Sequence, residues 1–351
     1  MRKKTYTACS RMAAIFLAAV LMLTGCGTGA GESSSTGSKE TQTTEADDTK
    51  TEGQQENDTA DTEETDETDD AKETESTSDS ETSYLTDAPD APEVFGLNCQ
   101  GKLKLDYAEC YDVYYYENDY QLIDVHDSAQ YLLVPEGAEA PEGLDDSIIV
   151  LQKPLDKIYL AASSTMALFR ALDSLDNIKM SGIDASGWYI EEAKQAMEDG
   201  KIQFAGKYSE PDYEMLVDQD CDIAIESTMI LHTPKVQEMI EDLDIPVFID
   251  RSSYESHPLG RTEWIKAYAA MLNKEDAADT FFDTQTEVIG SLKDFKNTGK
   301  TVAYFFVNTD GTVVVRSSSD YIPKMIDIAG GKYIFQDLKN TKSKSASVEL
   351  S

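Results

Sequence analysis

Positive charge is what this 351-residue sequence has least of: 30 Lys and Arg stand against 67 Asp and Glu, a formal net charge of −37. Nucleic acid and anionic membrane surfaces are excluded as partners, because the chain repels both. Histidine is scarce, with only His126, His232 and His257. The five cysteines, Cys9, Cys26, Cys99, Cys110 and Cys221, show no CxxC spacing and no clustered His, so no metal site is expected. The sequence has no GxSxG elbow, HExxH pair or GxxxxGK[ST] phosphate loop, which leaves a secreted hydrolase without a motif. The expectation is a non-enzyme with no catalytic residue and no intrinsic cofactor.

One long apolar run is present, Met12 to Leu23, preceded by Arg2, Lys3, Lys4 and Arg11. It is too short for a membrane span and has the length of a signal-peptide core. It ends in Leu23-Thr24-Gly25-Cys26, which resembles the lipobox of bacterial lipoproteins. That resemblance implies cleavage after residue 25 and lipid on Cys26, hence an anchor at the extracytoplasmic face of the cell membrane. From Gly27 to about Ser83 the residues are Ser, Thr, Glu, Asp, Gly and Gln almost throughout, with no aromatic. Such a segment buries too little apolar surface to offset chain entropy and reads as a disordered acidic linker, 26–83. Even beyond it the chain remains acidic, since only 19 of the acids and 7 of the bases precede Tyr84.

Between residues 84 and 150 Tyr, Val, Ile and Leu alternate with polar residues, predicting an antiparallel β extension. Cys99 and Cys110 offer a staple across it, or remain free thiols. After Pro154 the pattern becomes strand, loop, helix, repeated. The strands are Lys157–Ala161, Ile178–Ile183, Gln203–Ala205, Asp222–Ile225 and Ile245–Ile249. Helices are expected over Met166–Leu175, Ile190–Asp199, Pro211–Val217 and Pro234–Leu243. This alternation implies a parallel sheet covered on both faces. Residues 263–295 are helical by periodicity with a break at Asn273. A second α/β unit opens at Thr301–Val307, turns at Asp310-Gly311 and continues into a helix closed by Gly330-Gly331.

Several segments in this order are similar to the metal-chelate class of periplasmic-type binding proteins, which serve siderophore, haem and cobalamin importers. They are Ile158–Ser164, Pro211–Glu214 with Cys221–Ile225, His257–Trp264, and Ile326–Phe335. The resemblance implies a two-lobed α/β fold joined by a long helix: a first lobe at 151–258, connecting helices at 259–298 and a second lobe at 299–351. It also implies a monomeric lipoprotein that delivers a ferric siderophore, haem or a corrinoid to ABC permease subunits. A non-transport surface adhesin on the same fold is the alternative. Where that class carries a permease-docking glutamate this chain has Pro234, so the role is not carried over. The second unit reaches Ser351 before the further elements of a full lobe, and a half lobe leaves an apolar face uncovered.

Open parallel sheets bind ligands outside the carboxyl ends of their strands. The candidate ligand residues are therefore Ser163, Ser164 and Thr165; Ser186 and Trp188; Tyr208; Glu226, Ser227 and Thr228; Tyr254; and, from the second unit, Arg316. Trp188, Tyr208 and Tyr254 offer flat surfaces for a planar or catecholate ligand. Arg251, Arg261 and Arg316 suit its carboxylates. Each Ser or Thr is equally suited to capping a helix, and Arg261 and Glu263 to ordering a helix start.

Overall fold

Strands open the folded part because its apolar residues recur at the period of two that a pleated backbone requires. The computed structural model describes residues 85–292 and 296–338, and the backbone of one more strand at Ser347–Leu350. The expected signal segment, Cys26 and the acidic linker lie outside the described residues. Strands β1 (Leu85–Thr86), β2 (Cys99–Leu103), β3 (Tyr111–Tyr116), β4 (Gln121–Val125), β5 (Gln130–Val134) and β6 (Ile148–Gln152) form one sheet in that order. The first five pair antiparallel as expected, but β6 runs parallel to β5, so the extension is a mixed sheet. The boundary expected at 150/151 falls inside β6. Cys99, Cys110 and Cys221 are free thiols, so the staple is not formed.

The second sheet is parallel throughout, in the order β13–β12–β7–β8–β9. Its strands are β7 (Ile158–Leu160), β8 (Ile178–Ser181), β9 (Gln203–Phe204), β12 (Ile223–Ser227) and β13 (Val247–Asp250). A two-strand hairpin, β10 (Gly206–Lys207) and β11 (Glu210–Pro211), follows β9. Pro211, expected to open a helix, therefore closes this hairpin instead. Helices α1 (Met166–Ala171), α2 (Glu191–Glu198), α3 (Tyr213–Asp218) and α4 (Pro234–Glu241) connect the strands, with Asp212 capping α3 at Met215 N.

Alternation of side chains sorts these strands into two apolar layers. Ile158, Leu160, Ile223, Ile225 and Phe248 face one way and share a core with Tyr111, Val113, Ile123 and Tyr131 of the first sheet. Tyr159, Met180, Ala224, Val247 and Ile249 face the other way, against Leu216 and Ile240. Helices α5 (Pro258–Glu263) and α6 (Ile265–Leu272) close the first core, where Trp264 and Tyr268 are fully buried. Asn273 adopts the left-handed conformation (φ 54°) that ends α6, the expected break. The connecting helix α7 (Glu275–Ser291) then runs 17 residues, roughly 25 Å.

Two buried carboxylates, Glu255 ahead of α5 and Glu263 at its last residue, fasten the first sheet to that helix. Glu263 accepts backbone N–H groups of Asp106, Tyr107 and Ala108 at 2.9, 2.8 and 2.8 Å. Glu255 accepts those of Glu109 and Cys110 at 2.9 and 3.0 Å and the indole N–H of Trp264 at 2.9 Å. Five consecutive backbone donors of a partly buried loop are thereby satisfied by two ionisable side chains. The extension and the first lobe are one packing unit.

The second α/β unit holds β14 (Thr301–Val302), β15 (Phe305–Val307), β16 (Val313–Arg316), α8 (Tyr321–Ile328) and β17 (Lys332–Tyr333), with β18 (Ser347–Leu350) antiparallel to β16. The expected Thr301–Val307 strand is thus split in two, because β14 pairs with β17 and β15 with β16. Phe305, Phe306 and Val307 are exposed on both faces of β15.

Candidate functional site

The chain leaves β7 outward to β8 and β9, then returns to the opposite side of β7 for β12 and β13. The topological switch therefore lies between β7 and β12, where an open sheet forms its binding crevice. Backbone hydrogen bonds draw the two ends together there: Ala161 N and Ala162 N both donate to Ile225 O, at 2.9 and 3.0 Å. Ser163 and Ser164 follow on an exposed turn, whereas Thr165 is buried with its hydroxyl on Ala162 O at 2.7 Å. Thr165 is a turn residue, not a ligand contact.

The loop after β8 is ordered from within. Asp184 accepts Ser186 N, Ser186 Oγ and Gly187 N, and these bonds hold its carboxyl below the ordinary range. Ser186 stays exposed. Trp188 corrects the expectation of an aromatic ligand surface: it is 8% exposed, and its indole N–H donates to Ser181 Oγ and Ile183 O, both at 3.2 Å. Burial with both partners supplied makes it core. Its neighbour Tyr189, which sequence reasoning passed over, is fully exposed. Tyr208 lies half-buried in the β10–β11 connection.

On β12, Glu226 is fully buried, and neither carboxylate oxygen has a hydrogen-bond partner among the described residues. Burial pushes its carboxyl up to about 8. Ser227 caps the following turn by accepting Met229 N at 3.3 Å, and Thr228 is half-buried beside it. Ser227 thus has the capping role weighed for it.

After β13 the wall becomes cationic and aromatic. Asp250 accepts Ser252 N, Ser252 Oγ and the Tyr268 hydroxyl, while burial pushes its carboxyl up. The Arg251 guanidinium lies 4.8 Å from the ring centre of the exposed Tyr254 and donates to Asp127 O at 3.1 Å. Arg261 donates to Ser253 O at 2.6 Å, and its guanidinium sits 3.5 Å over the Tyr321 ring of α8. That contact joins the first lobe to the second unit. Arg261, expected to order a helix start, lies instead in the last turn of α5. Arg316, from β16, pairs with Asp320 at 3.7 Å. Nε–H groups of Arg251 and Arg261 are buried without an acceptor among the described residues.

Beside this wall is a cavity of about 750 Å³ lined from both units, by Ser256 and His257 on one side and Ser318, Ser319, Asp320 and Lys324 on the other. His257 accepts Leu259 N at Nδ1 and stacks on Tyr107 at 4.6 Å; burial and then Lys324 hold its pKa below the ordinary value. His232 is exposed on the turn after β12, and His126 pairs with Asp112 in the first sheet. Among the described residues no three His, Cys, Asp or Glu side chains converge as metal donors. No helix among them is long and apolar enough to cross a membrane.

A family model described as periplasmic binding protein matches residues 161–350, more than half of the chain. The chain belongs to the periplasmic binding protein family. Among relatives of this family member, an uncharacterized lipoprotein of Methanocaldococcus jannaschii is 27% identical over 61% of the chain. The chain spans about half of that relative's length, 53%. Solved structures similar to it include the periplasmic haem-binding protein HutB of Vibrio cholerae, at 16% identity, a TM-score of 0.43, and coverage of 55% of this chain and 69% of that one. The petrobactin-binding protein YclQ of Bacillus subtilis has 16% identity and a TM-score of 0.43, covering 55% of this chain and 65% of that one. The family match begins at Ala161, at the end of β7, so it takes in every crevice loop described above.

Proposed function

We propose that this chain is the solute receptor of an ABC importer, held to the extracytoplasmic face of the membrane by lipid on Cys26. Its cargo is a metal chelate: a ferric siderophore, haem or a corrinoid. The observation that carries this reading is the wall after β13, where Arg251 lies against Tyr254 and Arg261 against Tyr321 in a chain of net charge −37. An acidic protein that concentrates guanidinium groups and aromatic rings at one crevice is built for an anionic, flat-surfaced ligand. Family membership supports a binding role, and the names of HutB and YclQ show that haem and petrobactin are cargo for proteins with similar folds. Tyr254 and Arg316 are the strongest contacts in this reading, with Ser163, Ser164, Ser186, Tyr208 and Thr228 at the rim. Delivery to a permease and a monomeric state complete the proposal.

The test is a titration of the purified chain with ferric hydroxamate and catecholate siderophores, haemin and cyanocobalamin, followed by tyrosine and tryptophan fluorescence. Saturable quenching by one of the four supports the receptor and names its cargo. A folded chain that responds to none of them defeats the proposal.

A further inference from the structure

Glu226 is the second-last residue of β12, on the strand that borders the topological switch. Its side chain points to the same face as Ala224, into the layer formed by Tyr159, Ile230, Ile240 and Ile249. It is fully covered, and neither oxygen has a hydrogen-bond partner among the described residues. A buried carboxyl left unsatisfied opposes folding, so its position calls for a use. The Thr228–His232 turn follows one residue later on the crevice side; Ile230 is its buried residue and packs in the same layer, Met229 N donates to Ser227 Oγ, and Met229 and Leu231 are exposed.

We propose that Glu226 is a proton-held latch of the crevice wall: as the neutral acid it stays in the apolar layer and keeps the Thr228–His232 turn in place, and loss of its proton expels both. The titratable groups facing it are phenols, Tyr159 of β7 and Tyr213 of α3, whose own pKa values are raised by burial first and by the Glu226 charge second. Cys221 belongs to the same layer. β13 and α4 contribute Ile249 and Ile240, which do not titrate. Desolvation alone sets the shift, with no basic side chain to oppose it. The sign follows. The closed form keeps the proton up to about pH 8, whereas an exposed glutamate loses it near 4.5, so opening becomes easier as pH rises between those values and levels off above them. The meaning for ligand capture rests on reading this crevice as the binding site; the latch itself does not.

The experiment is hydrogen exchange of the full chain at pH 6 and pH 9.5, each rate corrected for the intrinsic pH dependence of exchange, on the wild type, Glu226→Gln and Glu226→Leu. The wild type should show protection of residues 227–233 falling by at least about 10-fold at the higher pH. Both variants should show no such fall, and Glu226→Gln alone suffices if Glu226→Leu does not fold. Buried Asp250 titrates equally in all three chains and cancels from the comparison. An equal pH response in wild type and Glu226→Gln, or none in either, overturns the latch. Neither result touches the titration with chelates, so the two readings fail separately.

Discussion

Replacing Glu263 with alanine removes the acceptor for three backbone N–H groups at once, those of Asp106, Tyr107 and Ala108. The carboxylate is fully buried, and Lys266 lies 3.6 Å away. Each orphaned donor costs about 1–3 kcal/mol, and partial relaxation with water entry returns some of it. A net loss of about 3–5 kcal/mol is expected, a large share of the roughly 5–15 kcal/mol available to a folded domain. Glu263→Gln should fall between wild type and alanine, because its amide keeps one acceptor oxygen but turns an NH2 towards a donor. Urea unfolding followed by far-ultraviolet circular dichroism measures both, read as a shift in midpoint at constant slope. An alanine variant within about 1 kcal/mol of wild type, or a glutamine variant worse than alanine, refutes the clamp.

Two further substitutions test local claims. Trp188→Phe should cost about 1 kcal/mol through the lost indole hydrogen bonds and leave chelate affinity unchanged; weakened binding with intact stability would return Trp188 to the crevice. Gly260→Ala should lower the melting temperature although alanine is the better helix former, since the added Cβ would lie 2.8 Å from Tyr107 O; a rise in melting temperature would show that the loop gives way freely.

Elements with strong local signals were legible. The runs at Ile158, Ile223 and Val247 are apolar on both faces, as buried parallel strands must be, and Asn273 tolerates the left-handed conformation that ends α6. What escaped depends on distance or on orientation. Proline at position 211 suits a first helical turn, but Gly206 at φ 79° lets the chain fold back on Glu210 and Pro211, and the hairpin wins. The parallel placement of β6 is a choice of partner that alternation does not encode. Trp188 stands where a crevice aromatic would, yet two acceptors within seven residues draw the ring inward. For the site, the loops were readable from the strand ends, and the Arg251–Tyr254 pairing is local. The Arg261–Tyr321 contact and the Glu255 and Glu263 clamp join residues 60 to 157 positions apart, so no spacing announces them. Glu226 was read as a strand-end polar residue; its isolation becomes visible only when the layer around it is assembled.

Calorimetric titration of wild type and Tyr254→Ala with whichever chelate quenches fluorescence tests the central claim most directly. Tyr254 is exposed, so its removal leaves the fold intact while taking away the ring beneath the Arg251 guanidinium. The account predicts one-to-one binding with Kd of about 1 μM or tighter in wild type, weakened about 10-fold by the substitution. A folded wild-type chain that takes up no chelate, or a Tyr254→Ala variant that binds it equally well, contradicts a receptor whose ligand rests on this wall.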